Sequence, residues 1–275
     1  QDGGVEVVCG PAMSCDSIDC PLGMMLVPCG PFVMGSDPGE GPEPDPAEQP
    51  EHIVCLSTYC IDRTEVSWEH WDACQHAGGC EALDPGFCPV GRANEPITCV
   101  PRTVAAGFCA WAGKRLPTEA EWEKAARGGC EVVSPPSCGP EDERTYPWGE
   151  EPPTCDRANL SLWRAGIGPC MPFSAVGPVD NQPAGASPYG VLNLIGNAEE
   201  VLADEYSATY YSTLAPGAVD PQGPTPDPDR REWRVYRGGD SLNDENLARL
   251  AIRRGHRAAN PSAPPLSGFR CVYRP

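Results

Sequence analysis

No stretch of this chain approaches the ~20 consecutive apolar residues that a membrane-spanning helix requires, so no helical span is expected. Positive charge is scarce. Twenty Lys and Arg stand against 39 Asp and Glu, a net charge of −19, and such a surface repels phosphate backbones and anionic membranes. Nucleic acid is therefore set aside as a partner. Histidine is scarcer still: His52, His70, His76 and His256 lie far apart with no HxxxH or HxE spacing. Each is read as an ordinary surface or core residue, and no imidazole metal centre is expected. There is no GxSxG elbow, and no paired CxxC tetrad or Cys/His group at zinc spacing.

Cysteine is plentiful, 16 in all from Cys9 to Cys271. Without zinc spacing, that usage reads as a disulfide framework made in an oxidising compartment. An even count permits eight bridges, and sequence alone leaves most pairings open. With 275 residues, 40% of them hydrophobic, the chain can bury roughly three quarters of its unfolded surface, and one large domain is expected. Gln1 carries no basic and apolar signal segment. The chain is read as secreted, its leader removed before the numbering begins, with no lipid anchor on a terminus that is not cysteine.

Residues 1–22 hold Cys9, Cys15 and Cys20 among Gly, Pro and Asp and read as a stapled arm on a domain spanning 23–275. GMMLVPCGPFVMGS, 23–36, suits a hairpin broken at Pro-Cys-Gly. The acidic, Pro-rich run that follows reads as an exposed loop. HIVCLSTYCIDRTEVSW gives a strand, and Thr64 or Ser67 can start the helix after it. In WAGKRLPTEAEWEKAARGG, Thr118 and Glu121 have capping-box spacing, and Gly128 is placed to close the helix in the left-handed conformation. Short apolar pieces recur at 186–202, 233–237, 247–253 and 267–273, with no internal repeat.

These blocks, together with YPWG, NLIGNAEEV, RGGD and GFRCV, occur in the order of similar strings in the formylglycine-generating enzyme (sulfatase-modifying factor) family. The chain resembles that family over residues 23–273. The resemblance implies one compact α+β fold, related to C-type lectins and low in regular secondary structure. It also implies a bridge from Cys109 to Cys271. In the family's oxidases, copper held by two cysteines converts a sulfatase cysteine to formylglycine; other relatives include iron-dependent sulfoxide synthases, and fold does not settle function. Calcium is implied at Asn193 and Glu200 through their side chains and at Gly196 and Ala198 through their carbonyls. A second, weaker calcium site falls on Asn159 with the Leu160 and Phe173 carbonyls, where Met171 replaces the family's Asp. Asn159-Leu160-Ser161 also fits a glycosylation sequon.

The copper cysteines have no counterpart. Asn243 and Ala248 occupy their positions, Asp240 replaces a serine, and Glu199 and Val201 replace two tryptophans. Copper(I) prefers sulfur, so no copper and no formylglycine-generating activity are expected. Asp240, Arg253, Arg254 and Arg257 mark a candidate cleft for a carboxylate, peptide or acidic glycan. The competing reading pairs these arginines, and Arg270, internally with Asp240, Asp244 and Glu245. The leading expectation is a catalytically inactive, calcium-stabilised binding or structural module. It would contact a protein or glycan through loops 37–51, 81–98, 130–145 and 205–232. An enzyme with altered chemistry at the old cleft, using Asp240, Glu199 or a metal, is the rival, and a self-assembling extracellular subunit is the third reading.

Overall fold

The computed structural model describes residues 9–38, 45–83, 90–132, 138, 144–172, 175–226, 233–257 and 266–275. The segment expected to form a hairpin holds two strands, β1 (Met24–Val27) and β2 (Gly30–Met34), but they do not pair with each other. The strand expected at 52–62 likewise divides into β3 (His52–Leu56) and β4 (Tyr59–Asp62). β1 runs antiparallel to β4 and β2 to β3, in two different sheets. The corner explains the correction. Pro28 has no amide to give a hairpin ladder, Gly30 takes a φ of 136° that side chains disfavour, and Cys29 is tied back to Cys15. Cys9 and Cys20 fasten the arm to Cys55 on β3 and Cys60 on β4.

Three helices follow. α1 (Trp68–His76) starts at Ser67, whose hydroxyl accepts from the His70 amide. α2 (Arg102–Trp111) starts behind Pro101 with no side-chain cap and buries Ala105, Phe108 and Cys109. α3 (Glu119–Arg127) carries the expected capping box: Glu121 N donates to Thr118 Oγ1 at 3.2 Å, and Thr118 N to Glu121 Oε2 at 2.9 Å. Gly128 ends α3 at φ 95° and ψ 161°. The positive φ needs glycine, but ψ is extended instead of left-handed helical.

Every residue of α3 is buried, its three Glu, its Lys and its Arg included. A helix written EAEWEKAAR reads as a half-solvated one, and it can be submerged only because each charge meets a partner. Glu121 pairs with Arg115, Glu123 with Arg127 and Arg237, and Lys124 Nζ donates to the Pro28 and Gly30 carbonyls.

The remaining strands are short: β5 (Ser161–Leu162), β6 (Gly168–Pro169), β7 (Glu199–Glu205), β8 (Ala218–Val219), β9 (Trp233–Arg237), β10 (Arg254–Arg257), β11 (Ser267–Gly268) and β12 (Val272–Tyr273). They complete three sheets, ordered β1-β4-β12, β2-β3-β8 and β10-β9-β7-β11, and one two-stranded ribbon, β5-β6. One core surrounds Trp122. A second gathers Trp71, Phe108 and Phe269, and the Cys109–Cys271 bridge crosses it from α2 to the C-terminal segment. Cys74–Cys80, Cys130–Cys138 and Cys155–Cys170 complete the seven bridges among the described residues. Cys99 is buried, and Cys88 lies outside the described residues. The fold is thus α+β and disulfide-rich. No helix among the described residues is long and apolar enough to cross a membrane.

Candidate functional site

The arginines grouped by the sequence separate in space. Arg253 is buried, with Nε and Nη2 on the two oxygens of Glu119 at 2.6 and 2.7 Å and Nη1 on the Ala47 carbonyl at 2.8 Å. Its guanidinium lies 4.0 Å from the centroid of the Tyr211 ring, a cation–π contact. It therefore faces the interior, and its assignment to the open cleft is corrected. Arg270 is likewise buried, bidentate to Glu200 at 2.6 and 2.7 Å and donating to the Leu192 carbonyl. Burial alone would lower the affinity of either guanidinium for its proton, but the adjacent carboxylate reverses this and raises it.

Asp240, Asp244 and Glu245 do not supply the carboxylates for these pairs. Asp240 Oδ1 accepts from Leu242 N, and Asp244 Oδ1 from Asn246 N. Sequence-near acids are taken up in turns of their own segment, so the arginines draw partners from α3 and β7.

Arg254 occupies the other side of the chain. Alternation along β10 puts Arg254 and His256 on one face, and both reach Glu199, the first residue of β7. Arg254 Nη1 lies 3.4 Å from Glu199 Oε1, and His256 Nε2 lies 3.2 Å from Glu199 Oε2. The latter approach has ion-pair distance without hydrogen-bond alignment, so Nε2 has no partner by that criterion. Tyr236 meets the His256 ring edge-on at 4.8 Å. Glu199 itself is 1% exposed. Asp240 completes the group: burial, seconded by the charge of Glu199, pushes its carboxyl upward, while the Leu242 amide and Arg254 oppose the shift. Arg257 ends β10, and its side chain lies outside the described set.

Of the two positions aligned with copper ligands, Asn243 sits beside this cluster and Ala248 lies in the core around Trp122. Asn243 Oδ1 accepts from Asp240 N at 3.1 Å, and its carbonyl accepts from Ser161 N at 2.9 Å. Ala248 is fully buried, as is Val201. An amide oxygen and a methyl group give copper(I) no soft donor, so these residues do not fit that ion. Ser161 Oγ also donates to the Ser241 carbonyl, and Arg164 Nε to Asp244. These bonds dock the β5-β6 ribbon against the segment, and Trp163 and Ile167 on the one and Leu242 on the other are 68, 60 and 55% exposed.

The calcium positions lie on the far side of β7. Asn193, at a φ of 54°, turns its amide nitrogen to Glu65 Oε2 at 3.0 Å and the Val179 carbonyl at 2.9 Å. Its oxygen is left as the ligating end. With the Gly196 and Ala198 carbonyls and Glu200, all four positions offer hard oxygen, the donor type calcium takes. Glu200 shares its carboxylate with Arg270 and the Trp122 indole. Sequence reasoning assigned no role to Glu65 in IDRTEVSW. It accepts from both Asn193 and Asn197, and burial, opposed by Arg270 and aided by Glu200, pushes it up to about 7.

Asn197 Oδ1 in turn accepts from Asn159 Nδ2 at 3.0 Å, so the two expected sites join in one amide–carboxylate chain. Asn159 Oδ1 is buried and meets no donor among the described residues, which suits a cation or water ligand. The Leu160 carbonyl accepts from Cys170 N, Met171 packs beside Gly177, and Phe173 lies outside the described residues. Asn159 is 1% exposed, which closes the sequon in the folded chain.

Residues 16–275 match the sulfatase-modifying factor enzyme 1-like domain. The formylglycine-generating enzyme of Thermomonospora curvata is 31% identical over 305 residues, covering 92% of this chain and 94% of that one. Hercynine oxygenase of Mycolicibacterium smegmatis is 31% identical over 83% of this chain and 56% of its own. Among solved structures, PvdO from Pseudomonas aeruginosa matches with a TM-score of 0.68 at 24% identity, over 90% of this chain and 93% of that one, a likeness of fold alone. The chain belongs to the sulfatase-modifying factor family, whose members catalyse different reactions.

Proposed function

We propose that this chain is a catalytically silent member of its family: a calcium-stabilised binding or structural module, secreted with loss of its leader and working at or outside the cell surface. The observation that carries the reading is the donor set at 243 and 248, an amide bonded within its own turn and a buried methyl, neither of which can ligate copper(I). The seven bridges support an oxidising compartment. The exposed Trp163, Ile167 and Leu242 side chains, on two segments docked together, support contact with a protein or glycan. Calcium would be held by Asn193, Gly196, Ala198 and Glu200. Burial pushes Glu65 up to about 7 beside Glu200 and Arg270, and a bound cation would favour its charged form.

Metal analysis of the purified chain tests the reading. Calcium without copper or iron is expected, and oxygen uptake with a cysteine peptide should be flat. Stoichiometric iron or copper would overturn it.

The convergence of Glu199, Asp240, Arg254 and His256 favours a second reading, an enzyme of altered chemistry. It predicts turnover that is lost in Glu199→Gln. A subunit of an extracellular assembly would show itself as a high-mass species in solution.

A further inference from the structure

On the α1–α2 side, away from the Glu199 cluster, a cavity of about 360 Å³ opens between the β4–α1 turn and the end of α2. That is the size of a small-ligand pocket. Phe108, Trp111 and Val66 form apolar walls, with Leu22 at the mouth. Trp111 is 43% exposed there, with a ring that tilts against Phe108 at 5.7 Å.

Two acids and two bases line the cavity, and they are engaged unequally. Asp62 is neutralised by Lys114 Nζ at 2.6 Å and also accepts from Cys271 N. Glu65 turns both oxygens to Asn193 and Asn197. Arg63 is exposed, and among the described residues its guanidinium has no acidic partner. An exposed guanidinium without an ion pair, on a residue that lines an apolar cavity, is complementary to an anion carried on an apolar body.

We propose that this cavity binds a small amphipathic carboxylate, with its aryl or branched alkyl part between Phe108 and Trp111 and its carboxylate on Arg63. A free acid and the C-terminal hydrophobic residue of a peptide share that chemistry. The site is independent of the proposed module function.

The test is calorimetric titration of the full chain with 4-phenylbutyrate, with acetyl-Gly-Gly-Phe, and with the amide of each. Saturable binding of either acid, at least fivefold tighter than its amide, is expected. Binding of phenylbutyrate alone identifies a free acid as the source, and binding of the peptide alone a chain terminus. Arg63→Gln should remove the acid-over-amide preference, and Trp111→Ala should weaken acid and amide alike, with folding intact since both side chains are exposed. Acid and amide bound equally, no binding of either acid, or a preference that survives Arg63→Gln would each overturn the proposal.

Discussion

Arg253 and Arg254 are neighbours in sequence and opposites in environment. One is sealed beneath the sheet on Glu119 and two tyrosine rings; the next is part-exposed against Glu199. The turn into β10 points them to opposite faces. A cluster of like residues in a sequence therefore does not mark one site. The buried arginine ties α3 to the rest of the chain, and the outer one keeps 23% of its side chain exposed. The same division separates Glu200, bound to Arg270, from Glu199, paired with Arg254 across the other face of β7.

Breaking the inner half should cost most. Glu119→Gln leaves Arg253 buried without its counter-charge, and the expected loss is about 3–5 kcal/mol in denaturant unfolding. An equally soluble and stable variant would mean that the pair does not hold α3. Replacing Cys109 and Cys271 together by serine should cost about 2–5 kcal/mol, because the bridge closes a separation of 162 residues.

Asp204 gives the inner half a pH dependence. Its carboxyl accepts from the Glu119 amide. Burial first and then Glu119's charge push it up to about 8, with Glu121 adding and the Glu119 amide and Arg253 opposing; Tyr210 feels its charge as well. The native state holds this proton between roughly pH 4 and 8, where the unfolded chain has lost it, so its contribution to stability falls as pH rises through that window. Asp204→Asn should flatten that decline, measured as unfolding midpoints from pH 5 to 8.

The outer half should respond least in stability. Arg254→Ala removes a part-exposed side chain but leaves the buried Glu199 without that cation, so a cost of about 1–3 kcal/mol is expected, below that of Glu119→Gln. A loss as large as that of Glu119→Gln would erase the distinction between the two arginines.

What was legible in the sequence was local chemistry. Thr118 and Glu121 announced α3, Ser67 was one of two named starts for α1, and family likeness supplied the Cys109–Cys271 pairing. Pairings made at a distance were not legible. Nothing in GMMLVPCGPFVMGS says that β1 will choose β4 and β2 will choose β3. No start signal marks α2, because Pro101 offers no capping side chain, although Ala105, Phe108 and Cys109 have helical spacing. The submersion of α3 was hidden for the same reason: Glu119 and Glu123 are matched by Arg253 and Arg237, more than 100 residues away. At the site, absence of sulfur at 243 and 248 could be read directly, whereas the meeting of Glu199 with His256 required the β7-β9-β10 sheet.

If the chain is catalytically silent, as proposed, it does not convert a sulfatase cysteine to formylglycine. The most direct measurement is mass analysis of a cysteine-bearing sulfatase peptide after incubation with the purified chain, copper(I) and oxygen. The peptide's cysteine should remain unconverted; formylglycine formed at a rate proportional to the chain's concentration would show that the chain is an oxidase.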